Sequence, residues 1–342
     1  AGFFGQLGVT DTTRFDADGN PTRFQIGSYV VDNSQNQLVL GNNYDADLTV
    51  AAGYGQFEVE PFNRLRIIAG ARYESTTQDI LAQRLDSTVI DAATNDTTRF
   101  FARSDKDTRD WLPSVNVVYS LTDNMNLRGA ASRTLARPTF LELAPGARVD
   151  FALGEQVVGN PDLDRTLITN YDLRWEWFTA PGDIVAASVY YKDFQDPIER
   201  VIISNNGTQS FRNVPQAEVL GLELEARQGL GRLLPSLSGT PILRNLNLGV
   251  NASFIGSTIS IDSTELNFRR GLDPDASDTR ALQGQSPFIV NADLAYENFE
   301  TGTNIGVYFN VFGRRLSRVS LGGTPDVYEE SVPQLDFTAS QR

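Results

Sequence analysis

The feature that most constrains the fold is an alternation of apolar and polar residues that recurs along most of the sequence. In residues 218–227, EVLGLELEAR, Leu220, Leu222 and Leu224 alternate with Gly221 and glutamates. Successive side chains of a β-strand point to opposite faces, so this period of two predicts strands with one apolar and one polar face. The same pattern recurs in residues 64–74, 114–121, 124–134, 170–178, 245–254, 287–297, 303–312 and 334–340.

The number and length of these segments favour an antiparallel β-barrel. There are about a dozen, mostly of roughly 9–11 residues or slightly longer, which is the length of a tilted membrane-spanning strand. No amphipathic helix of convincing length is present, and no run of about 18 apolar residues predicts a transmembrane helix. We therefore predict an all-β protein.

The predicted connections fall into two classes. Four are short and rich in turn-forming residues: 60–64, 121–124, 179–183 and 298–302. Four others are long and polar: 75–109, 136–167, 195–217 and 256–286. Short turns at one end and long connections at the other are typical of an outer-membrane barrel, whereas a soluble β-sandwich has more even loops.

The alternation alone does not decide whether the apolar face meets lipid or a soluble core. Aromatic residues near the predicted strand ends favour lipid, because membrane barrels carry aromatic girdles at both interfaces. These aromatic residues are Tyr73, Tyr119, Trp175, Trp177, Tyr190, Tyr191 and Tyr296. A barrel can span hydrocarbon only if its sheet has no free edge.

In a membrane barrel the polar face lines a wet lumen. Charged residues on this face are the candidate functional residues of the sequence. They are Arg66, Arg72, Glu74, Arg128, Arg174, Glu176, Glu223, Glu225 and Arg227. We expect these side chains to pair with each other, with water or with a domain inside the barrel.

Composition excludes several other functions. The 342 residues contain no cysteine and no histidine, which removes thiol chemistry and histidine-based catalysis and argues against a zinc site. The net charge of −14 argues against a nucleic-acid partner. No nucleotide-binding or hydrolase motif is present, so we predict no enzyme activity, no catalytic residue and no cofactor.

The carboxylates provide the remaining candidates for a chemical site. Asp172 with Glu176, and Glu223 with Glu225, have the spacing of residues on one face of a strand. They could form an acid–base pair or bind Ca²⁺, but a polar lumen face explains the spacing more simply. The acidic segment 271–278 lacks the spacing of an EF-hand loop, so we interpret it as a solvated loop and predict no metal site.

Four segments resemble TonB-dependent outer-membrane receptors, in that family's order. They are WLPSVNVVYSLTDNMNLRGAASRTLARPTFLELAP (111–145), GNPDLDRTLITNYDLRWEWF (159–178), NVPQAEVLGLELEAR (213–227) and PQLDFTASQR (333–342). The resemblance spans about residues 44–342. It implies an antiparallel transmembrane barrel of 22 strands when complete, with an N-terminal plug domain in the lumen. We expect residues 1–342 to form one partial barrel domain, with the plug and the last strands outside the sequence.

The resemblance also implies a function and a location. It implies a receptor in the outer membrane of a Gram-negative bacterium that takes up a large scarce nutrient, such as a siderophore, cobalamin, a haem-like molecule or an oligosaccharide. Its implied partners are the lipid bilayer, lipopolysaccharide, a TonB-type energy-coupling protein that acts through the plug, and a surface lipoprotein as a further candidate. A structural or assembly component of an outer-membrane complex and a passive porin remain the alternatives.

One local break in the pattern is also informative. Arg137-Pro138 follows the strand predicted over 124–134. Proline fixes φ and lacks an N–H donor, so it ends strand pairing. We interpret Arg137 as part of the strand exit and not as a ligand-binding residue.

Overall fold

The chain folds into long antiparallel strands joined mostly by short turns at one end of the sheet and by long connections at the other. The computed structural model describes residues 14–15, 21–25, 44–83, 89–90, 97–98, 101–144, 147–150, 155–233, 240–321 and 324–342. The strands are β1 (Arg14–Phe15), β2 (Pro21–Gln25), β3 (Tyr44–Phe62), β4 (Leu65–Gln83), β5 (Val89–Ile90), β6 (Thr97–Thr98), β7 (Phe101–Thr122), β8 (Met125–Ala136), β9 (Ala147–Asp150), β10 (Glu155–Val158), β11 (Thr166–Ala180), β12 (Asp183–Gln195), β13 (Ile198–Ile202), β14 (Gln209–Asn213), β15 (Gln216–Gly229), β16 (Leu246–Ser260), β17 (Thr279–Arg280), β18 (Phe288–Asn298), β19 (Thr303–Phe312), β20 (Arg315–Ser320), β21 (Val327–Glu329) and β22 (Gln334–Gln341). The helices are α1 (Phe140–Leu143), α2 (Leu230–Leu233), α3 (Pro241–Arg244) and α4 (Ser263–Leu272).

The main sheet is an up-and-down meander. Its strand order is β1-β2-β3-β4-β7-β8-β11-β12-β15-β16-β18-β19-β22, with β17 beside β16. From β3 to β22 each long strand pairs antiparallel with the next long strand in the sequence. None of the helices in the described residues is long and apolar enough to cross a membrane.

The two ends of the meander differ as predicted. At one end β3–β4 and β7–β8 turn through two residues each, and β11–β12 turn through Pro181 and Gly182. Gly182 has φ +85°, a left-handed conformation that glycine adopts without steric cost. The same end also carries one longer connection, residues 230–245 between β15 and β16, which contains α2 and α3. The opposite end carries the other long connections. One boundary was predicted wrongly: β4 continues to Gln83 and β7 begins at Phe101, so most of 75–109 is strand.

The pairing register gives the sheet two chemically distinct faces. Leu127, Trp175, Ala187 and Leu224 lie opposite one another across β8, β11, β12 and β15. We call this side the apolar face. The next positions along those strands, Arg128, Arg174, Ser188 and Glu223, form a row on the other side, the polar face. The alternation predicted from sequence is therefore kept in register across four strands.

Strand β3 departs from this division. Leu48, Val50 and Tyr54 pair with Gln78, Thr76 and Arg72, which places them on the polar face. All three are exposed, and Tyr54 is 77% exposed. The intervening positions, from Thr49 to Gly55, carry small side chains on the apolar face.

The long connections build a second sheet of their own, with the order β21-β20-β13-β14-β10-β9. We call it the connection sheet. It joins strands from three different connections, and β10–β14 and β13–β20 are parallel pairs. Leu143 and Leu163, from the connection between β8 and β11, pack with Ala46 and Ile80 of β3 and β4 in one buried cluster. Because Ala46 and Ile80 lie on the polar face, this connection folds over that side of the main sheet.

Candidate functional site

A row of charged side chains crosses the polar face from β8 to β15. Arg128 Nε donates to Glu176 Oε2 at 2.6 Å, and Arg174 Nε donates to Glu176 Oε1 at 2.9 Å. Arg174 also donates to Ser188 Oγ at 3.0 Å and to Glu225 Oε2 at 2.7 Å. One guanidinium thus connects three strands, because its fixed fork of donors reaches several acceptors at once.

A second cluster lies on β4, closer to the long connections. Arg72 Nε donates to Glu74 Oε1 at 2.5 Å. Arg137 donates to the other oxygen of Glu74 and, at 2.8 Å, to Thr76 Oγ1. Strand β8 ends at Ala136, so Arg137-Pro138 does end the strand as predicted. The Arg137 side chain has a further contact that sequence did not indicate, since it ties the strand exit back to β4.

The remaining predicted candidates are less tightly held. Arg66 pairs with Glu58 of β3 at 2.6 Å, and both side chains are about half exposed. Glu223 and Arg227 lie on the polar face but outside the ion pairs that join the other candidates. The register places all nine predicted residues on the polar face, and ion pairs with described residues join seven of them.

The connection between β8 and β11 is anchored on the polar face by contacts that sequence analysis missed. Arg165 donates to Asp110 Oδ1 at 2.9 and 2.6 Å, and Asp110 is 5% exposed. Ser104 donates to the carbonyl of Pro161 at 2.8 Å. Lys106 pairs with Asp164 at 3.1 Å. Ser104 and Lys106 fall within 75–109, which was predicted to be a loop, and Asp110 lies directly after it, so no strand face was predicted for any of the three.

The most deeply buried charges lie outside the long strands. Glu265 of α4 is 0% exposed and accepts from Arg212, Arg269 and Arg280. Burial alone would raise the pKa of Glu265, but hydrogen bonds and charge from the arginines outweigh it and lower the pKa to about 2. Arg280 also pairs with the buried Glu199. These ion pairs fix the connections β12–β15 and β16–β18 to each other, and sequence gave no signal for them.

The predicted carboxylate pairs do not form a chemical site of their own. Both oxygens of Glu176 are occupied by arginines, and Asp172 lies exposed on the same face. Among the described residues, no group of three or more acidic side chains is arranged to hold a metal ion.

Aromatic residues occupy two levels of the apolar face. Trp111 and Tyr119 are eight positions apart on β7. At about 3.3 Å per residue and a strand tilt of about 40°, they are separated by about 20 Å along the barrel axis, close to the height of an apolar band. Tyr73 packs on Trp111 with ring centroids 5.0 Å apart. Tyr190 was placed with this group wrongly, because its register position opposite Asp172 puts it on the polar face.

Comparison with known proteins identifies this architecture. A family model described as "TonB dependent receptor-like, beta-barrel" matches residues 1–340. No curated protein sequence matches the chain significantly.

Several solved structures share the fold, and three of them illustrate it. The ferric-catecholate import receptor Fiu from Escherichia coli K12 has a TM-score of 0.62 at 13% identity, over 90% of this chain and 40% of its own. The siderophore receptor PiuA from Acinetobacter baumannii has a TM-score of 0.55 at 12% identity, over 87% of this chain and 37% of its own. The ferric yersiniabactin uptake receptor FyuA from Yersinia pestis has a TM-score of 0.54 at 14% identity, over 87% of this chain and 38% of its own.

The chain thus spans about two fifths of the length of these receptors. Its meander corresponds to part of a transmembrane barrel. TonB-dependent receptors are outer-membrane proteins of Gram-negative bacteria and act as receptors, not as enzymes, which agrees with the location and the absence of enzyme activity predicted from sequence. Because the family model matches almost the whole sequence, the chain belongs to the TonB-dependent receptor β-barrel family.

Proposed function

We propose that the chain is the barrel portion of a receptor that takes up a ferric siderophore across the outer membrane. The observation that carries the proposal is the charged row on the polar face, beneath connections that fold over the same side of the sheet. The three similar receptors are ferric or siderophore receptors, which supports this cargo over cobalamin, haem-like molecules or an oligosaccharide.

In this proposal the polar face is the wall of the lumen. The nine charged residues of this face then hold a plug domain by ion pairs and hydrogen bonds. Glu223 and Arg227 are the most available for such contacts, since they lie outside the ion pairs of the charged row.

The connection sheet forms the outer mouth of the receptor. Outer-membrane barrels place short turns on the periplasmic side and long connections outside. The cargo therefore meets the connection sheet first and the plug below it. Energy for its release into the periplasm comes from a TonB-type protein that pulls on the plug.

Uptake measurements on the full-length receptor test this proposal. The receptor is expressed in a strain that lacks its own ferric-siderophore receptors. Uptake of ⁵⁵Fe is then followed with catecholate and hydroxamate siderophores, with and without a functional TonB protein. We expect saturable uptake of one siderophore class that is lost without TonB.

Two other outcomes would contradict the proposal and favour the alternatives. Uptake that persists without TonB, with stable conductance in planar bilayers, would indicate a passive porin. No uptake of any tested cargo, together with stoichiometric co-purification of other outer-membrane proteins, would indicate a structural or assembly component.

A further inference from the structure

The connection sheet contains an arginine whose charge has no partner in the described residues. The Nε and Nη2 atoms of Arg200, on β13, are buried and form no hydrogen bond there. The chain has 43 acidic and 29 basic side chains, so carboxylates are in excess. Arg212 and Arg280, from the same group of connections, each pair with two of them. Because an isolated charge is costly to bury, the missing partner of Arg200 requires an explanation.

The pairing of the connection sheet places a second arginine beside Arg200. Strands β13 and β20 are parallel, with Val201 opposite Val319. Arg200 and Arg318 immediately precede these two residues, so their side chains leave the same face of the sheet from neighbouring strands. Gln283 links the strands at this level, since its Nε2 donates to the carbonyl of Arg200 at 2.9 Å and to that of the residue before Arg318 at 2.5 Å. Two positive charges therefore lie side by side.

A carboxylate from another connection shares this face. Glu155 of β10 accepts from Arg318 through one oxygen and from Gln209 Nε2, at 2.5 Å, through the other. Gln209 of β14 lies opposite Ile202 on one side and Val157 on the other, which places Glu155, Gln209 and both arginines on the same face. These four side chains contain two guanidinium groups and one carboxylate. The group therefore has an excess of one positive charge.

An ordered water molecule would not remove this excess charge. Gln209 is 0% exposed, and its Oε1 atom also has no partner in the described residues. One water molecule would link that oxygen to Arg200, but it carries no negative charge. A carboxylate supplies both what the geometry and what the charge require. The Nε and Nη2 atoms form one edge of the guanidinium, which binds the two oxygens of a carboxylate side by side.

Glu155 also holds its own connection to the rest of the connection sheet. Strand β10 pairs with β14 at one position, Val157 with Gln209, whereas β13 and β14 pair along their whole length. The contacts of Glu155 with Arg318 and Gln209 therefore contribute much of the link at this edge. Loss of these contacts would loosen the connection between β8 and β11.

We propose that Arg200 and Arg318 form a binding site for a carboxylate of the cargo, and that Glu155 occupies this site until the cargo displaces it. The side chain of Glu155 is 25% exposed, whereas two nitrogen atoms of Arg200 are covered, so an anion enters through the position of Glu155. The departure of Glu155 then releases β10 from β14. The cargo is a ferric siderophore with a carboxylate that does not bind the iron. The identity of this ligand rests on the proposed function, but the site itself does not.

The test measures binding of citrate, the carboxylate probe, to the purified full-length receptor by isothermal titration calorimetry. Arg200→Gln removes the unpaired charge and breaks no described hydrogen bond of Nε or Nη2. Glu155→Gln removes the carboxylate that competes for the site but keeps its shape. Arg315→Gln and Glu329→Gln are the matched controls, because these residues form a more exposed ion pair at 2.7 Å in the same sheet.

We expect citrate to bind about tenfold more weakly in Arg200→Gln, as for the loss of a charge-assisted hydrogen bond, and about tenfold more tightly in Glu155→Gln. The gain in Glu155→Gln cannot result from misfolding. Both controls should bind citrate as the unmodified receptor does. Hydrogen exchange followed by mass spectrometry measures the displacement. Citrate should speed exchange of residues 155–158 in the unmodified receptor, and in Glu155→Gln these residues should exchange fast without citrate.

Unchanged citrate binding in Arg200→Gln, or binding in Glu155→Gln that is no tighter, would overturn the proposal. Equal effects in the control variants would also overturn it, because they would indicate a general effect of surface charge. Ferric tris(catecholate), an anion without a carboxylate, is titrated in parallel, and an equal loss of its binding in Arg200→Gln would overturn the assignment to carboxylates. Absence of siderophore uptake, combined with the expected citrate results, would contradict the receptor function and not the site.

Discussion

Two buried carboxylates on the polar face are each held by two arginines. Glu74 binds Arg72 and Arg137, and Glu176 binds Arg128 and Arg174. Both glutamates are 8% exposed. An unpaired carboxylate at this depth would lose its hydration without compensation, so the arginines are what allow these charges to be buried.

Arg137 joins the exit of β8 to β4, so its removal should loosen the connection that follows. We expect Arg137→Ala to destabilise residues 155–165 locally by about 1–3 kcal/mol, because Thr76 and one oxygen of Glu74 lose a donor. Hydrogen exchange followed by mass spectrometry measures this. Arg103→Ala is the control, since that guanidinium pairs with Asp79 while 60% exposed. Equal exchange in the two variants would contradict the anchoring role.

Glu265 is the acceptor at the centre of the buried charge cluster. Glu265→Gln keeps the shape of the side chain but removes its charge, so the three arginines lose their shared acceptor. Each keeps one other carboxylate: Arg212 pairs with Asp262, Arg269 with Asp326 and Arg280 with Glu199. We expect a local destabilisation of about 1–3 kcal/mol, the cost of weakened charge-assisted hydrogen bonds at a buried site. Faster hydrogen exchange in α4 and β13 would report it. Glu330→Gln is the matched control, because Glu330 pairs with Arg314 at an exposed site; a similar effect there would argue against a special role for burial.

For single residues, the sequence predicted which face of the sheet a side chain occupies but not which side chain it contacts. Period two was sufficient to place Arg128 and Glu176 on one face. That they contact each other depends on the register between β8 and β11, which no local pattern specifies. Glu265 and Arg280 were missed entirely because they lie outside the alternating strands, where burial is decided by packing between connections.

For the strands, sequence alternation predicted the boundaries correctly only within the part of each strand that faces hydrocarbon. The outer halves of β4 and β7 carry polar residues on both faces, as in Gln78, Asp79, Lys106 and Asp107. Such a segment extends above the bilayer, where neither face needs to be apolar, so its alternation disappears. Strand β3 was not recognised for a different reason: Leu48, Val50 and Tyr54 lie on the polar face and small residues lie on the other.

The two faces should respond differently to the same substitution. Leu224 of β15 lies on the apolar face, and Asn251 of β16 lies on the polar face opposite Glu225. We expect Leu224→Arg to cost about 2–4 kcal/mol in a bilayer, as for arginine near the midplane of a membrane barrel. Asn251→Arg should cost little, because water or Glu225 can accept from it. Urea unfolding in lipid vesicles compares the two, and equal costs would contradict the assignment of the faces.

For the whole molecule, we expect acid to destabilise the long connections at a higher pH than the barrel strands. The pKa of Glu265 is about 2 in the folded chain, against an ordinary value of 4.5. Its contribution to stability is therefore fully present above about pH 4.5 and is lost as the pH falls toward about 2. The meander depends mainly on backbone hydrogen bonds, which do not titrate.

Hydrogen exchange between about pH 6 and about pH 2.5, corrected for the intrinsic pH dependence of exchange, tests this separation. We expect protection of α4 and of its partners Arg212 and Arg280 to fall while β11, β12 and β15 stay protected. In Glu265→Gln the pH effect on α4 should be much smaller. A loss of protection that begins simultaneously in the long strands would contradict the prediction.

The fold class of the whole molecule could be predicted because it follows from a repeated local pattern. Alternation, strand length and the asymmetry of the turns together predicted an antiparallel membrane barrel, and the family match confirms it. The connection sheet could not be predicted. Its strands are three to six residues long and pair across connections that are far apart in sequence, so each lacks a signal of its own.

The connection sheet limits how the surface-exposed part of this receptor can change in sequence. Strands β10, β13, β14 and β20 are donated by three separate connections and held by parallel pairs and by the contact of Arg318 with Glu155. Recombination that replaces one connection with that of a related gene would leave the strands of the other two connections without their pairing partners. Escape from phages or antibodies that recognise this surface should therefore proceed by point changes at exposed positions, and antibodies raised against isolated connection peptides should recognise the intact receptor poorly.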